Sequence, residues 1–462
     1  MTQTFEDLPT AGENRLPSEV TLWGHPKGLW VLVLTEGWVA FSLYGMLALL
    51  VIYMQDYILR SEHSVHVWGM TPLLSLVRTI YAPVGLPAMA ASIMGLFMAV
   101  VAALPLLGSI LADRYIGRTR IIIIGALLMT LGHGLMSFES SFVVALLCLL
   151  VGNGCSGSMK AQVGALYAQD DRRRADAYQL YSLGVQVAVI ISPLLCSFLG
   201  KIAWHWGFLC AGTGMSLGLV CYLAGRQWLP PETTRVSHRG KSPSLSIMEK
   251  KRVILLIILV FIFAIGAIPN EEIFAGYLLW GKEHYQLTFW GYDFPVSTLL
   301  SLDGLISSVT AVAVLWFWRA FEKRHNAVPE IWKVFWGSLI AAFGPVCLAL
   351  AQALYPALHS INLWWGVAFH TINDIGFSMV FAVGMALYSR IAPMAVNTLL
   401  VSLFTLHLAF SNLLVGKLAT LVTRIPGTEF WLLHGAAALL ATLIFLLCAL
   451  FCRRLLMPQE ER

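Results

Sequence analysis

Long apolar runs separated by short polar breaks fill the chain from residue 27 to residue 452. Twelve of them, about 27–55, 86–112, 119–138, 142–167, 176–200, 205–228, 253–280, 294–319, 331–354, 363–390, 395–422 and 429–452, are close to or longer than the roughly 20 residues a helix needs to cross hydrocarbon. Strands of a membrane barrel would instead alternate polar and apolar residues. The pattern predicts an all-α polytopic membrane protein with twelve transmembrane helices. The longest internal polar stretch, "PPETTRVSHRGKSPSLSIMEKKR", divides them six and six. The expected organisation is therefore a tail 1–26, a six-helix bundle 27–228, a linker 229–252, a second six-helix bundle 253–452 and a tail 453–462.

Composition agrees: 58% of the 462 residues are hydrophobic and only 12% charged, against about 25% charged in soluble domains. Charge then orients the helices. Basic residues gather in alternate loops: Arg114, Arg118 and Arg120; Arg172, Arg173 and Arg174; the linker; Arg319, Lys323 and Arg324; and Arg453 with Arg454. The positive-inside rule makes those loops cytoplasmic, with both termini, in a cytoplasmic (inner or plasma) membrane. The same loops account for the net charge of +5, so no nucleic-acid partner is expected. Segment 56–85 falls outside and is long enough for a short surface helix; His63 and His66 within it are expected to be ordinary exposed histidines. The acidic N-terminal stretch has no basic region ahead of a short apolar core, so no cleaved leader is expected. Eight cysteines, without metal-ligand spacing, read as small helix-packing residues.

Against this apolar background a few polar residues stand out. In "LTEGWVAFSLYGM", Glu36 shares its helical face with Val39, Ala40 and Leu43, which offer it no charged neighbour. A charge at the bilayer centre costs about 2.5–3.5 kcal/mol on insertion scales, so such an acid faces water, is paired, or is protonated. In "AIGAIPNEEIFAGYLLW", Pro269 breaks the hydrogen-bond ladder just before Glu271 and Glu272, predicting a bend where the acids sit. Adjacent carboxylates in low dielectric resist joint ionisation, although their side chains point about 100° apart on a helix. Asp303 in "TLLSLDGLISS" is a further ionisable group inside a span, either functional or hydrogen-bonded to Ser301 or backbone. His133, His370 and His407 are lone histidines in apolar helices, read as structural ahead of functional, and Asn412 reads as an interhelical hydrogen-bonding residue.

The loop after the second helix, "GSILADRYIGRTR", resembles the G-x-x-x-D-R-x-x-G-R-x-R signature of the major facilitator superfamily. The stretches "FSLYGM", "KAQVGALY", "GVQVAVIISPLLCSFLG", "VGMALYSRIAP" and "LAFSNLLVGKLA" are similar, in order, to segments of its proton-dependent oligopeptide transporter family. The resemblance implies two bundles rocking about a central cavity, with proton flow driving uptake of small peptides. It assigns conformational gating to the loop carrying Gly108, Asp113, Arg114, Gly117 and Arg118. The family's two extra helices between the halves have no counterpart in the short polar linker.

Departures from the family are as informative as matches. The helix 1 motif E-x-x-E-R-F keeps its first acid at Glu36, but Val39 and Ala40 stand where the second acid and the arginine belong. The helix 4 lysine falls on Ser156, or Gly157 with a one-residue slip, and the helix 10 glutamate on Phe377. Lys160, four residues after Ser156, and Asp374, three before Phe377, put charges of the family's sign about one helical turn away. Glu271 takes the family acid's place on helix 7, Glu272 replaces its glutamine, Asp303 replaces an asparagine, and Tyr44 retains a hydroxyl for the cavity.

The expected protein is thus a secondary transporter and not an enzyme, using the proton gradient and no cofactor. Proton coupling falls to Glu36, Glu271, Glu272 or Asp303. Tyr44, Lys160, Asp374 and Phe377 are the candidates for contacting a peptide-like or amphipathic small-molecule substrate. Its partners are that substrate, protons and the lipid bilayer, and a monomer is expected. The alternative is a non-transporting sensor or partner protein that kept the fold and lost coupling.

Overall fold

The computed structural model describes residues 21–168, 171, 173–230 and 245–456. Most of the expected N-terminal tail, Arg172, the middle of the expected linker and the end of the C-terminal tail lie outside the described residues. The first bundle contains α1 (Lys27–Tyr53), α2 (Gly85–Leu111), α3 (Arg118–Leu135), α4 (Phe142–Cys155, continued by Met159–Ala165), α5 (Arg173–Ile202) and α6 (Trp204–Gly225). The second contains α7 (Ile247–Gly266), α8 (Leu299–Glu322), α9 (Glu330–Leu354), α10 (Leu363–Ile391), α11 (Asn397–Leu418) and α12 (Gly427–Phe451). Among the described residues, eleven helices are long and apolar enough to cross a membrane, and the bent α7 completes twelve.

Two details differ from the sequence reading. Helix α7 begins six residues before the expected Val253, because Ser246 and Glu249 form a reciprocal capping box that satisfies its first N–H groups. It is also discontinuous. Its apolar cylinder ends at Gly266, turns by 48° into Ile268–Phe274, and resumes as Gly276–His284. Segment 56–85 does form a surface helix, Met70–Tyr81, bounded on both sides by left-handed residues, Gly69 and Ala82.

Within the first bundle α1 packs on α5 and α6, and α3 on α4; in the second α9 packs on α10 and α12, and α7 on α11 and α12. The bundles meet along two seams, α2 with α11 and α5 with α8. Close approach there depends on missing side chains. A Cβ on Gly95 would lie 2.6 Å from the Gly416 backbone, and one on Gly304 would lie 2.9 Å from Val189.

Polar contacts also tie the bundles together at the end opposite the described chain ends. Ser92 donates to the Gly416 carbonyl (2.9 Å) and Lys417 to that of Tyr81 (3.1 Å). Thr423 donates to Val84 (2.9 Å), Arg424 to Ala82 (3.1 Å) and Lys201 to Asp293 (2.7 Å), again at backbone carbonyls. Lys282 pairs with Asp56 at 2.5 Å. Beside this latch lies a cavity of about 810 Å³ lined by Asp56, Lys201, Lys282, Tyr285 and His359.

Candidate functional site

The break in α7 creates the centre of the site. Pro269 has no N–H to give the preceding turn, so a short helix, Ile268–Glu271, starts there and passes into a 3₁₀ turn, Glu272–Phe274. Ala275 then adopts non-helical dihedrals before the helix resumes at Gly276. The two neighbouring acids are turned to different tasks. Glu272 is fully buried and accepts the Gly276 N–H at 3.0 Å, closing the ladder across the break. Its other oxygen meets His434 Nε2 at 3.1 Å. His434 Nδ1 lies 2.7 Å from the Phe430 carbonyl, which can only accept, so Nδ1 carries a hydrogen and one proton is shared between Nε2 and Glu272. Glu272 is thereby a strut between α7 and α12 rather than a cavity acid.

Glu271 points elsewhere. It is 6% exposed and accepts from Asn412 on α11 at 2.6 Å and from Asn270 at 3.4 Å. Asn412 is the interhelical residue expected, with Glu271 as its partner. Asn373 on α10 donates to Asn270 Oδ1 at 3.1 Å, tying α10 into the same polar layer.

Beside this layer α8 and α10 bring together Asp303, His370 and Asp374. Asp303 Oδ1 lies 2.8 Å from His370 Nδ1, and this pairing replaces the Ser301 or backbone bond considered from sequence. His370 Nε2 meets the Tyr277 hydroxyl at 3.0 Å, which reaches Tyr285 at 3.3 Å. Because Tyr285 lines the far-end cavity, this chain of groups runs from the central acids to that cavity. Asp374 is 2% exposed; Asn373 serves its Oδ1 at 3.2 Å, while Oδ2 has no hydrogen-bond partner. One ligand atom from each of Asp303, His370 and Asp374 lies within 4.8 Å of the others, a spread that a metal ion could close. Reading His370 as a lone histidine missed this cluster; the signal was its position one helical turn before Asp374.

The first bundle contributes the other half. Glu36, half-buried on α1, has Tyr181 of α5 as hydrogen-bonding neighbour and Lys160 as the nearby cation, while its Oε2 lacks a hydrogen-bond partner. Lys160 is exposed just beyond the 3₁₀ interruption Ser156–Ser158 of α4. Among the described residues Lys160 forms no ion pair with Glu271, and the charge acting on Glu271 is that of Asp303. Tyr44 bridges the halves, its ring 6.2 Å from Phe274 and its hydroxyl in the field of Glu271, Asp303 and Glu36. Phe377 is half-buried and stacks on Phe381 at 5.6 Å, leaving an aromatic surface where the family carries an acid.

The gating-loop residues lie away from this centre. Gly108 lets α2 approach α4, since a Cβ there would lie 1.9 Å from the Gly154 carbonyl oxygen. Arg118 pairs with Asp113 at 2.8 Å across Gly117, whose φ of 91° suits glycine, and Arg114 is exposed. Three histidines outside the cluster have partners of their own, His63 being half-buried rather than simply exposed. His133 bonds Ser42, His407 bonds the Phe404 carbonyl at 2.5 Å, and His63 bonds Glu139 at 3.0 Å while stacking on Tyr57.

Two six-helix bundles, latched at one end and enclosing a layer of acids shared between them, define a membrane carrier. Comparison with known proteins agrees. The sequence model of the Major Facilitator Superfamily matches residues 29–416, and the chain belongs to that family. It is a transporter and not an enzyme. It is 28% identical to a di-/tripeptide transporter of Lactococcus lactis subsp. lactis (strain IL1403) over 390 residues, covering 83% of this chain and 69% of the relative. It is 23% identical to the uncharacterized transporter YclF of Bacillus subtilis (strain 168), covering 94% of this chain and 95% of the relative. Its fold is that of a crystal structure of the peptide transporter POT in complex with sulfate, with a TM-score of 0.81, 24% identity, and coverage of 94% of this chain and 96% of the other. These relatives agree with the oligopeptide transporter family that the helix motifs resemble.

Proposed function

We propose that the protein is a proton-coupled secondary transporter that moves peptide-like or otherwise amphipathic organic solutes by alternating access. The observation that supports this reading is Glu271, a buried carboxylate held by neutral amides at a helix break within the second bundle. Such an acid can exchange a proton when the site changes its exposure, and coupling requires only that the two conformations differ in proton affinity. The Asp303–His370–Tyr277–Tyr285 chain links the acids to the far-end cavity, where the latch holds larger solutes back. The basic loops support a cytoplasmic placement of the chain-end side, in an inner or plasma membrane. The latch then closes the side opposite the cytoplasm.

Ordinary di- and tripeptides are poor substrates in this reading, although the relatives are named for them. The positions that hold a peptide's two termini in the family read Ala40, Ser156 and Phe377. Each lost charge-assisted contact weakens binding by about 1.5–3 kcal/mol unless Lys160 and Asp374, about one helical turn from the vacated positions, take over the lost charges. Purified protein in liposomes with an imposed inward proton gradient should accumulate an amphipathic amine or amino-acid conjugate in preference to dialanine. Saturable dialanine uptake at the affinity usual for a peptide carrier would overturn the substrate assignment. Absence of gradient-driven accumulation across a broad solute panel would favour the uncoupled sensor reading.

A further inference from the structure

We propose that Asp303, His370 and Asp374 form a binding site for a divalent first-row transition-metal ion of the zinc class. His370 and Asp374 are four residues apart on α10, which puts both on one helical face, and Asp303 approaches from α8. That i, i+4 placement of an imidazole with a second ligand is how helices build such sites. The three ligand atoms lie within 4.8 Å of one another, with Asp303 and His370 already at 2.8 Å. Metal bonds of about 2.0–2.2 Å in a tetrahedron separate ligand atoms by about 3.4 Å, inside that spread.

Three further observations point to a ligand. Asp374 Oδ2 is buried and unpartnered, and an ionised oxygen in that state is costly unless a cation meets it. Among the described residues, no lysine or arginine forms an ion pair with Asp303, Asp374 or Glu271, so the cluster lacks a protein cation. Finally, Tyr277 donates to Tyr285 and therefore receives the His370 Nε2–H, so that the single proton shared between Nδ1 and Asp303 is all that an ion has to displace to take Nδ1 as a ligand. This is the outer partner that ligating histidines usually have. The imidazole selects against calcium and magnesium, which take oxygen donors. Three protein ligands leave a fourth position, reached past Asp303, whose side chain is 17% exposed. An ion held there gives the site an anchor for a carboxylate- or amine-bearing solute. The inference goes beyond the transport reading and its test does not depend on it.

The full-length, untagged protein in detergent, stripped with a chelator and titrated with Co²⁺, should develop saturable visible d–d absorption at one equivalent, displaced by Zn²⁺. Calorimetry in two buffers of different ionisation enthalpy should show proton release on binding, because the ion replaces the proton between Asp303 and His370. His370→Gln and Asp374→Asn should each weaken binding at least about 100-fold, and Tyr277→Phe about 10-fold or more, the usual effect of an outer-shell partner. Glu272→Gln, outside the cluster, should leave binding unchanged. No saturable Co²⁺ band in the wild type overturns the proposal, whatever the folding of the variants. Wild-type affinity retained in cooperatively melting His370→Gln or Asp374→Asn overturns it equally.

Discussion

At the scale of single residues, neighbours in sequence have opposite fates. Glu271 and Glu272 are adjacent, yet one is held by neutral amides in the shared polar layer and the other closes a helix and pairs with His434. Glu271→Gln should abolish proton-driven accumulation in liposomes while preserving solute binding and counterflow exchange. A variant that still concentrates solute at the wild-type rate would pass the coupling role to Glu36 or Asp303. Glu272→Leu should act on stability instead, because it strands His434 and the Gly276 N–H at about 1–3 kcal/mol for each unsatisfied group. A lower melting temperature with residual transport is the expected result, and Glu272→Gln should recover most of the loss. Equal transport defects without a stability change would show that Glu272 is a coupling acid after all.

At the scale of elements, the apolar runs announced nearly every helix, because crossing hydrocarbon imposes a length and composition that no tertiary context overrides. Pro269 announced the bend in α7 but not its extent. The second half of that break depends on the Glu272 carboxylate replacing a main-chain bond, which is a tertiary arrangement with no local signature. Asp303, Glu36 and Glu271 were legible because charge inside a span is expensive. His370 was not, since its meaning comes from Asp303 on another helix, 67 positions away. The α2–α11 seam is likewise set by partners distant in sequence. Gly95→Val should force the helices apart at Gly416, where even a Cβ is too close. Spin labels on Thr79→Cys and Trp290→Cys, at the latched end, should then report a longer and broader distance distribution. An unchanged distribution would mean that the seam yields elsewhere.

At the scale of the whole molecule, the two halves differ in where they carry charge and agree in how they are latched. If the chain-end side is cytoplasmic, a membrane-impermeant maleimide applied to intact cells should label Trp290→Cys and spare Ile247→Cys in a background without native cysteines. The reverse pattern would invert the molecule and make the latched end face the cytoplasm. The latch itself has an asymmetry with consequences over many generations. Apart from the Lys282–Asp56 pair, its donors are the side chains of Ser92, Lys201, Lys417, Thr423 and Arg424, and their five acceptors are main-chain carbonyls. A carbonyl is supplied by whatever amino acid occupies the position, so substitution can erase a donor but not its acceptor. Where the backbone stays in place, half of each such contact survives substitution, and a lineage can weaken or restore the closure at that end one codon at a time without inventing a new partner.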